Sequence, residues 1–142
     1  VVLAESDARL NNVRLQIELA PDLPQVLGDA VQLQQVMLNL LRNAIDAVCE
    51  LGSQARTIIL RTALIADQVE LSVTDSGPGI DPAIRERLFE AFVTTKPEGT
   101  GLGLAISRSI AENHGGKLAW RANQPCGSCF YLTLPAVSGV PP

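Results

Sequence analysis

What the 142-residue sequence has little of excludes several classes of protein. No apolar run approaches the roughly 20 residues that a membrane-crossing helix needs, and no basic start followed by an apolar stretch predicts a signal peptide. Lysine and arginine number 11 against 15 acidic residues, which gives a net charge of -4. Because nucleic acids are bound by clustered basic charge, we expect this chain to contact neither nucleic acid nor a membrane.

Cysteine is also scarce. Three cysteines cannot form a disulfide framework, which favours a reducing, cytoplasmic compartment, whether the parent protein is soluble or membrane-anchored. Cys126 and Cys129 form a C-x-x-C pair that allows a redox pair or half of a zinc site. Zinc would need Cys49 and His114 as well, and a strand-like segment follows where a redox pair would open a helix. A glycine turn before the last strand is the simpler interpretation.

The sequence has enough length and apolar content, 46%, for one domain with a buried core. Its periodicity mixes strands and helices without a steady βαβ alternation. The predicted strands are 14–19, 57–64, 69–75, 117–121 and 130–134, and the predicted helices are 29–52, 81–90 and 102–113. This order predicts an α/β (α+β) two-layer sandwich, with one mixed, largely antiparallel sheet and helices packed on one face.

The longest predicted helix is capped by Asp29, and its apolar stripe is formed by Leu33, Val36, Met37, Leu40, Leu41, Ala44 and Val48. A polar stripe lies opposite, formed by Asn39, Asn43, Asp46 and Glu50. A solvated helix surface is one interpretation. However, asparagine is a poor helix former, so two asparagines one turn apart indicate a demand for amide oxygens. Mg²⁺ prefers hard oxygen ligands that it shares with phosphates.

The strand "VELSVTD" alternates apolar and polar residues, which places Asp75 on its apolar face. A carboxylate on a buried face is costly unless it is hydrogen-bonded. Asp75 is therefore either a turn residue just beyond the strand or an acceptor for a flat, donor-rich ligand such as adenine. Gly77 and Gly79 follow in "DSGPGI" and allow the backbone to approach a ligand closely.

The segment "EGTGLGLAI" has three glycines, Gly99, Gly101 and Gly103, before a predicted helix. It matches neither G-x-G-x-x-G nor the P-loop. A glycine-rich loop that runs into a helix N-terminus still offers unpaired N–H groups and the positive end of the helix dipole. These features predict an anion site, with Lys96 as a counter-charge to phosphate.

Together these segments resemble the ATP-binding catalytic domain of sensor histidine kinases, in the GHKL superfamily shared with gyrase-type, mismatch-repair and chaperone ATPases. "NLLRNAIDA" resembles the N box, "DSGPGI" the first glycine box, "LFEAFVTTK" the F box and "GTGLGLAI" the second glycine box. The match spans residues 29–135. It implies a Bergerat-type fold that binds Mg-ATP and transfers the γ-phosphoryl group to a histidine on a separate dimerisation and phosphoacceptor domain, in two-component signal transduction.

The resemblance also implies roles for individual residues. Asn43 matches the asparagine that holds Mg²⁺, and Asp75 matches the acceptor for the adenine amino group. Phe89 and Phe92 would anchor a lid over residues 92–100. The residues that the resemblance places at the nucleotide are Asn39, Arg42, Asn43, Asp46, Asp75, Gly77, Gly79, Ile80, Lys96, Gly99, Thr100, Gly101, Leu102, Gly103 and Leu104, with Asn43 and Lys96 as catalytic residues.

Asn39 bears on the type of reaction. The hydrolases of the superfamily have a glutamate at this position, and an amide is no useful base near neutral pH, so efficient ATP hydrolysis is disfavoured. A histidine kinase does not need that base, because a neutral histidine is already a nucleophile. The protein then contributes mainly positioning of the reactants and neutralisation of the phosphate charge. Asp46 departs from the lysine or arginine of many histidine kinases, so Arg42 or Lys96 is expected to matter more.

We expect residues 1–12 to end a linker from an upstream helical domain, residues 13–136 to form the catalytic domain, and residues 137–142 to form a flexible tail. The single histidine, His114, is expected to be structural. This piece of a longer protein is therefore expected to bind ATP without containing an acceptor histidine. We also expect it to be a monomer, with a response regulator as an indirect partner. The alternatives are a serine kinase of the anti-sigma-factor type, an ATP-gated clamp, and a degenerate domain that keeps ATP as a structural ligand.

Overall fold

The computed structural model of the chain describes residues 13–21, 26, 28–49, 57–77, 103–122 and 127–136. Their elements, in chain order, are β1 (Arg14–Glu18), α1 (Ala30–Cys49), β2 (Thr57–Ile65), β3 (Gln68–Asp75), α2 (Gly103–Asn113), β4 (Lys117–Ala122) and β5 (Ser128–Pro135). Each of these elements was predicted to within a few residues. The predicted helix 81–90, the lid, residues 1–12 and residues 137–142 lie outside the described residues.

The strands form one five-stranded sheet in the order β1-β2-β3-β5-β4. β1 pairs with β2 in parallel, and the three other pairings are antiparallel. Both described helices pack on the same face of this sheet, where their apolar residues form one cluster with those of the strands. The predicted two-layer architecture, with a mixed and largely antiparallel sheet, is confirmed.

The core forms where the apolar stripe of α1 meets the sheet. Apolar residues recur at three- and four-residue steps along α1, so they share one face of the helix. The buried members are Val36, Leu40, Leu41, Ala44, Ile45 and Val48. Across the interface they meet alternate residues of the central strands, namely Ile58, Leu60, Val73, Phe130 and Leu132. Leu33 and Met37, predicted for the same stripe, are only partly buried.

The ends of the helices are fixed by their sequence. Asp29 caps α1, because its Oδ1 accepts the N–H groups of Val31 at 2.9 Å and Gln32 at 3.2 Å, as predicted. Gly115 ends α2 with a left-handed φ of 73°, and the Gly116 N–H donates to the Ala111 carbonyl at 2.9 Å. Such a C-terminal glycine satisfies carbonyls that the helix would otherwise leave without partners.

His114 connects the end of α2 to the start of α1. Its Nε2 accepts the backbone N–H of Asp29 at 3.0 Å, and its Nδ1 lies 2.7 Å from the Ile110 carbonyl. Since a carbonyl only accepts, Nδ1 carries the proton, and both ring nitrogens are engaged. The predicted structural role of this histidine is confirmed. A side chain at Gly28 would collide with the imidazole ring, so glycine there permits the connection.

These bonds also bear on the zinc interpretation, since neither nitrogen of His114 is available to a metal ion. Cys129 is a buried free thiol on β5, and Gly127 before it has a φ of 105°, as the glycine-turn interpretation requires. The described part of the chain contains no group of three or more His, Cys, Asp or Glu side chains that could hold a metal ion. Nor does it contain a helix long and apolar enough to cross a membrane.

Candidate functional site

Asp75 is the last residue of β3, and its carboxylate is buried, with 2% of the residue exposed. Its Oδ1 accepts two backbone N–H groups, from Gly77 at 2.9 Å and from Ser128 at 3.3 Å. The carboxylate is therefore held at a fixed position, inside the apolar layer, by two backbone donors. The prediction that Asp75 lies on the buried face of its strand is confirmed.

The surrounding strands explain why this end of β3 is rigid. Asp75 pairs with Ile58 on β2 and with Ser128 on β5, so it lies between two neighbouring strands. Ser76 then donates its N–H to the Thr57 carbonyl at 3.1 Å, and its Oγ accepts the Thr57 N–H at 2.9 Å. The backbone that leaves the strand is thus held by the start of β2.

Burial raises the pKa of Asp75 above the ordinary value of 3.8, although the bonds from Gly77 and Ser128 act in the opposite direction. The cost of desolvating the charge is larger than the gain from the two donors. A carboxylate kept in a position that destabilises its charged form is a candidate functional group. Carboxylate oxygens have about four acceptor sites in all, so Asp75 suits a ligand that donates.

Gly77 and Gly127 allow the backbone to surround this carboxylate. A Cβ at Gly77 would lie 3.0 Å from both Asp75 Oδ1 and the Ala47 Cβ of α1. Gly127 combines its left-handed φ of 105° with a position where a Cβ would collide with the Asp75 carbonyl. Glycine is needed at position 127, and a side chain at position 77 would press on both the carboxylate and α1.

Ala47 is the residue of α1 that lies next to Gly77, and the polar residues of α1 precede it along the helix. Asn43 precedes Ala47 by one turn and Asn39 by two turns, that is by about 6 and 12 Å along the axis. Both asparagines are half-buried, whereas Arg42 and Asp46 are exposed. Along α1, Asn43 and then Asn39 therefore lie at increasing distance from the end of the helix that is next to Gly77.

The start of α2 completes the described part of the site. Gly103 is its first residue, and an added Cβ there would meet nothing within 4 Å. One turn later, the Ser107 hydroxyl accepts a hydrogen bond from Asn39 Nδ2 at 3.2 Å. The N-terminal end of α2 is thereby placed beside the far end of the polar face of α1, and a helix N-terminus favours anions.

The structure thus brings together part of the predicted set. Asp75 and Gly77 are in contact, Asn43 and Asn39 follow along α1, and Gly103 and Leu104 begin the helix bonded to Asn39. The predicted residues that lie outside the described part are Gly79, Ile80, Phe89, Phe92, Lys96, Gly99, Thr100, Gly101 and Leu102. Arg42 and Asp46 are among the described residues, and both are exposed on α1.

Sequence reasoning missed Ser107 and Ser128. Ser107 is fully buried, and its spacing of three from Leu104 and four from Ala111 puts it on the apolar face of α2, which was a usable signal. Ser128 donates through its backbone, which carries no side-chain signal. Only the pairing of β3 with β5, across 53 residues, brings it to Asp75.

The arrangement suits an adenine nucleotide. A buried carboxylate can accept a hydrogen bond from the amino group of a flat base. Half-exposed amide oxygens on a helix suit Mg²⁺ that is shared with phosphates. A helix N-terminus binds anionic groups. In order along the site come the carboxylate of Asp75, the asparagines of α1 and the N-terminus of α2. An adenosine phosphate is a ligand with this order of groups.

Comparisons with known proteins agree with this geometry. Residues 28–138 match the family described as histidine kinase-, DNA gyrase B- and HSP90-like ATPase. Sensor protein FixL of Bradyrhizobium diazoefficiens is 43% identical over 135 residues, which cover 94% of this chain and 26% of FixL. Full-length ShkA in complex with AMPPNP superposes with a TM-score of 0.83 and 30% identity, over 99% of this chain and 29% of ShkA.

A third similar protein is histidine kinase ThkA, in its complex with response regulator protein TrrA. It superposes with a TM-score of 0.78 at 32% identity, over 96% of this chain and 38% of the ThkA chain. The chain therefore spans about a quarter of the length of FixL and little more of ShkA. The chain belongs to the family of histidine kinase-, DNA gyrase B- and HSP90-like ATPases, and it is an ATP-binding catalytic domain of the histidine kinase type.

Proposed function

We propose that the whole protein is a sensor histidine kinase, in which this domain binds Mg-ATP and passes the γ-phosphoryl group to a histidine on a separate phosphoacceptor domain. The observation that carries the proposal is the buried Asp75 carboxylate, held by Gly77 and Ser128. The name of ThkA's partner, a response regulator protein, supports a response regulator as the next acceptor for this protein.

Asp75 would fix the base, because its carboxylate accepts from the adenine amino group. Asn43 would hold Mg²⁺ through its amide oxygen, and the ion and the N-terminus of α2 would offset the charge of the phosphates. Bound ATP would supply its γ-phosphoryl group, which passes to a nucleophile that attacks in line while ADP departs as the leaving group. The domain then contributes positioning and charge neutralisation, which are the main needs of phosphoryl transfer.

Asn39 supports transfer to a partner over hydrolysis. Its Nδ2 donates to Ser107, and an amide cannot take a proton from water near neutral pH. Water bound nearby would therefore lack a base at this position. The clamp-type ATPase interpretation has no supporting observation among the described residues, and the function proposed is that of a kinase.

The test uses the full-length protein with γ-labelled ATP. We expect a label on histidine, which is lost in acid, whereas a label on serine would resist acid and indicate the serine kinase instead. Asn43→Ala should remove most of the labelling and the Mg²⁺ dependence of nucleotide binding. Gln35→Ala, an exposed residue two turns earlier in α1, is the matched control and should change neither. Unchanged Mg²⁺ dependence in Asn43→Ala would exclude that residue as the metal ligand.

A further inference from the structure

A side-chain hydrogen bond joins the two helices near the start of α2. Asn39 Nδ2 donates to Ser107 Oγ over 3.2 Å, and the two residues are 68 positions apart in sequence. Ser107 is completely buried, while the residues around it on α2, Leu104, Ile110 and Ala111, belong to or pack against the apolar core. A hydroxyl buried among apolar side chains is costly unless it is hydrogen-bonded, so this bond gives α2 a preferred position on α1.

The bond lies between two functional parts of the site. Asn39 precedes the proposed Mg²⁺ ligand Asn43 by one turn, and Ser107 follows Gly103, the first residue of α2, by one turn. Apolar residues of both helices also meet in the shared core, and such contacts set no direction of their own. The bond between His114 and Asp29 acts at the opposite end of α2. A directed bond at this place therefore fixes how far the N-terminus of α2 lies from Asn43.

We propose that Asn39 and Ser107 are positioning residues, which hold the phosphate-binding end of α2 in register with the Mg²⁺ ligand on α1. This rests on the proposed function, and it differs from the role that the family resemblance implies for Asn39, namely contact with the nucleotide itself. Asn39 acts on the phosphates through Ser107 and α2. The base end of the site, at Asp75, is held by different bonds and is independent of the pair.

The experiment compares three ligands, namely adenosine by NMR titration and Mg-ADP and Mg-ATP by calorimetry. The variants are Asn39→Ala, Ser107→Ala and the double variant. Each single variant should bind adenosine as the wild type does but lose about fivefold to tenfold in the affinity for Mg-ATP, and less for Mg-ADP. The double variant should lose no more than either single variant, because both remove one interaction.

Matched controls are available on both helices. Ser109→Ala on α2 and Gln35→Ala on α1 change exposed residues on the same elements, and they should leave all three affinities unchanged. Ser107→Ala removes a single oxygen, so the variant is expected to fold, and thermal unfolding measures this directly. A purely structural role would lower the unfolding temperature of both variants while the ratio of Mg-ATP to adenosine affinity stayed at its wild-type value.

Two further results would overturn the proposal. If Asn39→Ala weakened Mg-ATP binding and Ser107→Ala did not, Asn39 would contact the nucleotide directly. If the losses in the double variant were additive, the two residues would act separately. A wild-type chain that binds none of the three ligands would overturn the proposed function together with this inference, whereas normal wild-type binding with unchanged variants would overturn the inference alone.

Discussion

At the scale of single residues, Asp75 is the proposed acceptor for the base of the nucleotide. Its carboxylate is 2% exposed and accepts from Gly77 and Ser128, yet burial still raises its pKa. The folded protein thus keeps a charge where the charged form is less stable than in water. This position of the carboxylate lowers the free energy of unfolding, and it suits an acceptor for a ligand that donates a hydrogen bond.

Asp75→Asn tests that role. The amide keeps an oxygen for the two backbone donors, but it presents an N–H₂ group to the adenine amino group, so two donors meet. We expect nucleotide affinity to fall by at least about a hundredfold, since a hydrogen bond to a charged group contributes roughly 1.5–3 kcal/mol and the opposed donors add to the loss. Calorimetry with Mg-ATP measures this.

The control for this variant is Asp67→Asn, in the exposed turn between β2 and β3. It makes the same chemical change away from the site and should leave the affinity unchanged. Normal ATP binding by Asp75→Asn would show that the base is recognised elsewhere. Loss of binding together with loss of folding would show that Asp75 has only a structural role.

The raised pKa predicts how stability depends on pH. A carboxyl group whose folded pKa lies above its unfolded value stabilises the fold below the unfolded value, and this contribution is lost as the pH rises through the folded pKa. Asp75→Asn lacks that dependence. We therefore expect the variant's free energy of unfolding to rise relative to that of the wild type as the pH rises above 3.8.

Urea unfolding of both proteins across that pH range measures the difference. Carbon NMR of the side-chain carboxyl gives the pKa itself, which should lie above 3.8 in the free protein. A titration midpoint at or below 3.8, or a variant that loses stability relative to the wild type as the pH rises, would contradict the assignment of burial as the dominant influence.

The alternation of a single strand predicted the burial of Asp75, because side chains on a strand have a period of two. The signals for the start and the end of a helix predicted Asp29 as a cap and His114 as a structural residue. It could not predict the donors of Asp75, since Ser128 reaches the carboxylate only through strand pairing. Interactions between residues distant in sequence require the topology.

At the scale of elements, the helix α1 and the β2–β3 hairpin show what local pattern determines. α1 runs over 20 residues, and its apolar stripe, its cap and its polar asparagines were all visible in the sequence. Ile45 is buried although it was not assigned to the stripe. The core-facing arc of a helix is wider than a strict three-four pattern, and Ile45 belongs to the same buried cluster as the stripe.

In the turn of the β2–β3 hairpin, one residue has a backbone conformation that is unfavourable for its side chain, and this cost can be measured. Ala66 opens the two-residue turn with a left-handed φ of 55°, a conformation that costs a side-chain-bearing residue about 1–2 kcal/mol. Glycine removes the strain but adds roughly 0.4–1 kcal/mol of unfolded-state entropy. Ala66→Gly should therefore raise the free energy of unfolding by about 0.5–1 kcal/mol.

Thermal unfolding measures this change. Ala63→Gly, in the neighbouring strand β2 with ordinary backbone angles, is the matched control and should be destabilising, because glycine weakens a strand interior. Equal destabilisation by both substitutions would mean that the turn does not strain Ala66. Neither substitution touches the site, so nucleotide affinity should remain at the wild-type value in both.

At the scale of the whole molecule, the sheet order brings the site together. β5 pairs between β3 and β4, and this insertion carries Ser128 to Asp75. The sequence predicted one mixed sheet with helices on one face, yet it could not determine the order of the strands, because pairing partners depend on the shared core. The ordered boxes indicated the family, and the strand order explains why Ser128 meets Asp75.

We propose that this chain binds Mg-ATP and does not turn it over. Calorimetric titration with Mg-ATP tests both parts at once. We expect a saturable binding heat followed by a flat baseline, because Asn39 is an amide bonded to Ser107 and offers no base for water. Sustained heat after saturation would contradict it by revealing hydrolysis, and the absence of any binding heat would contradict the assignment of the nucleotide site itself.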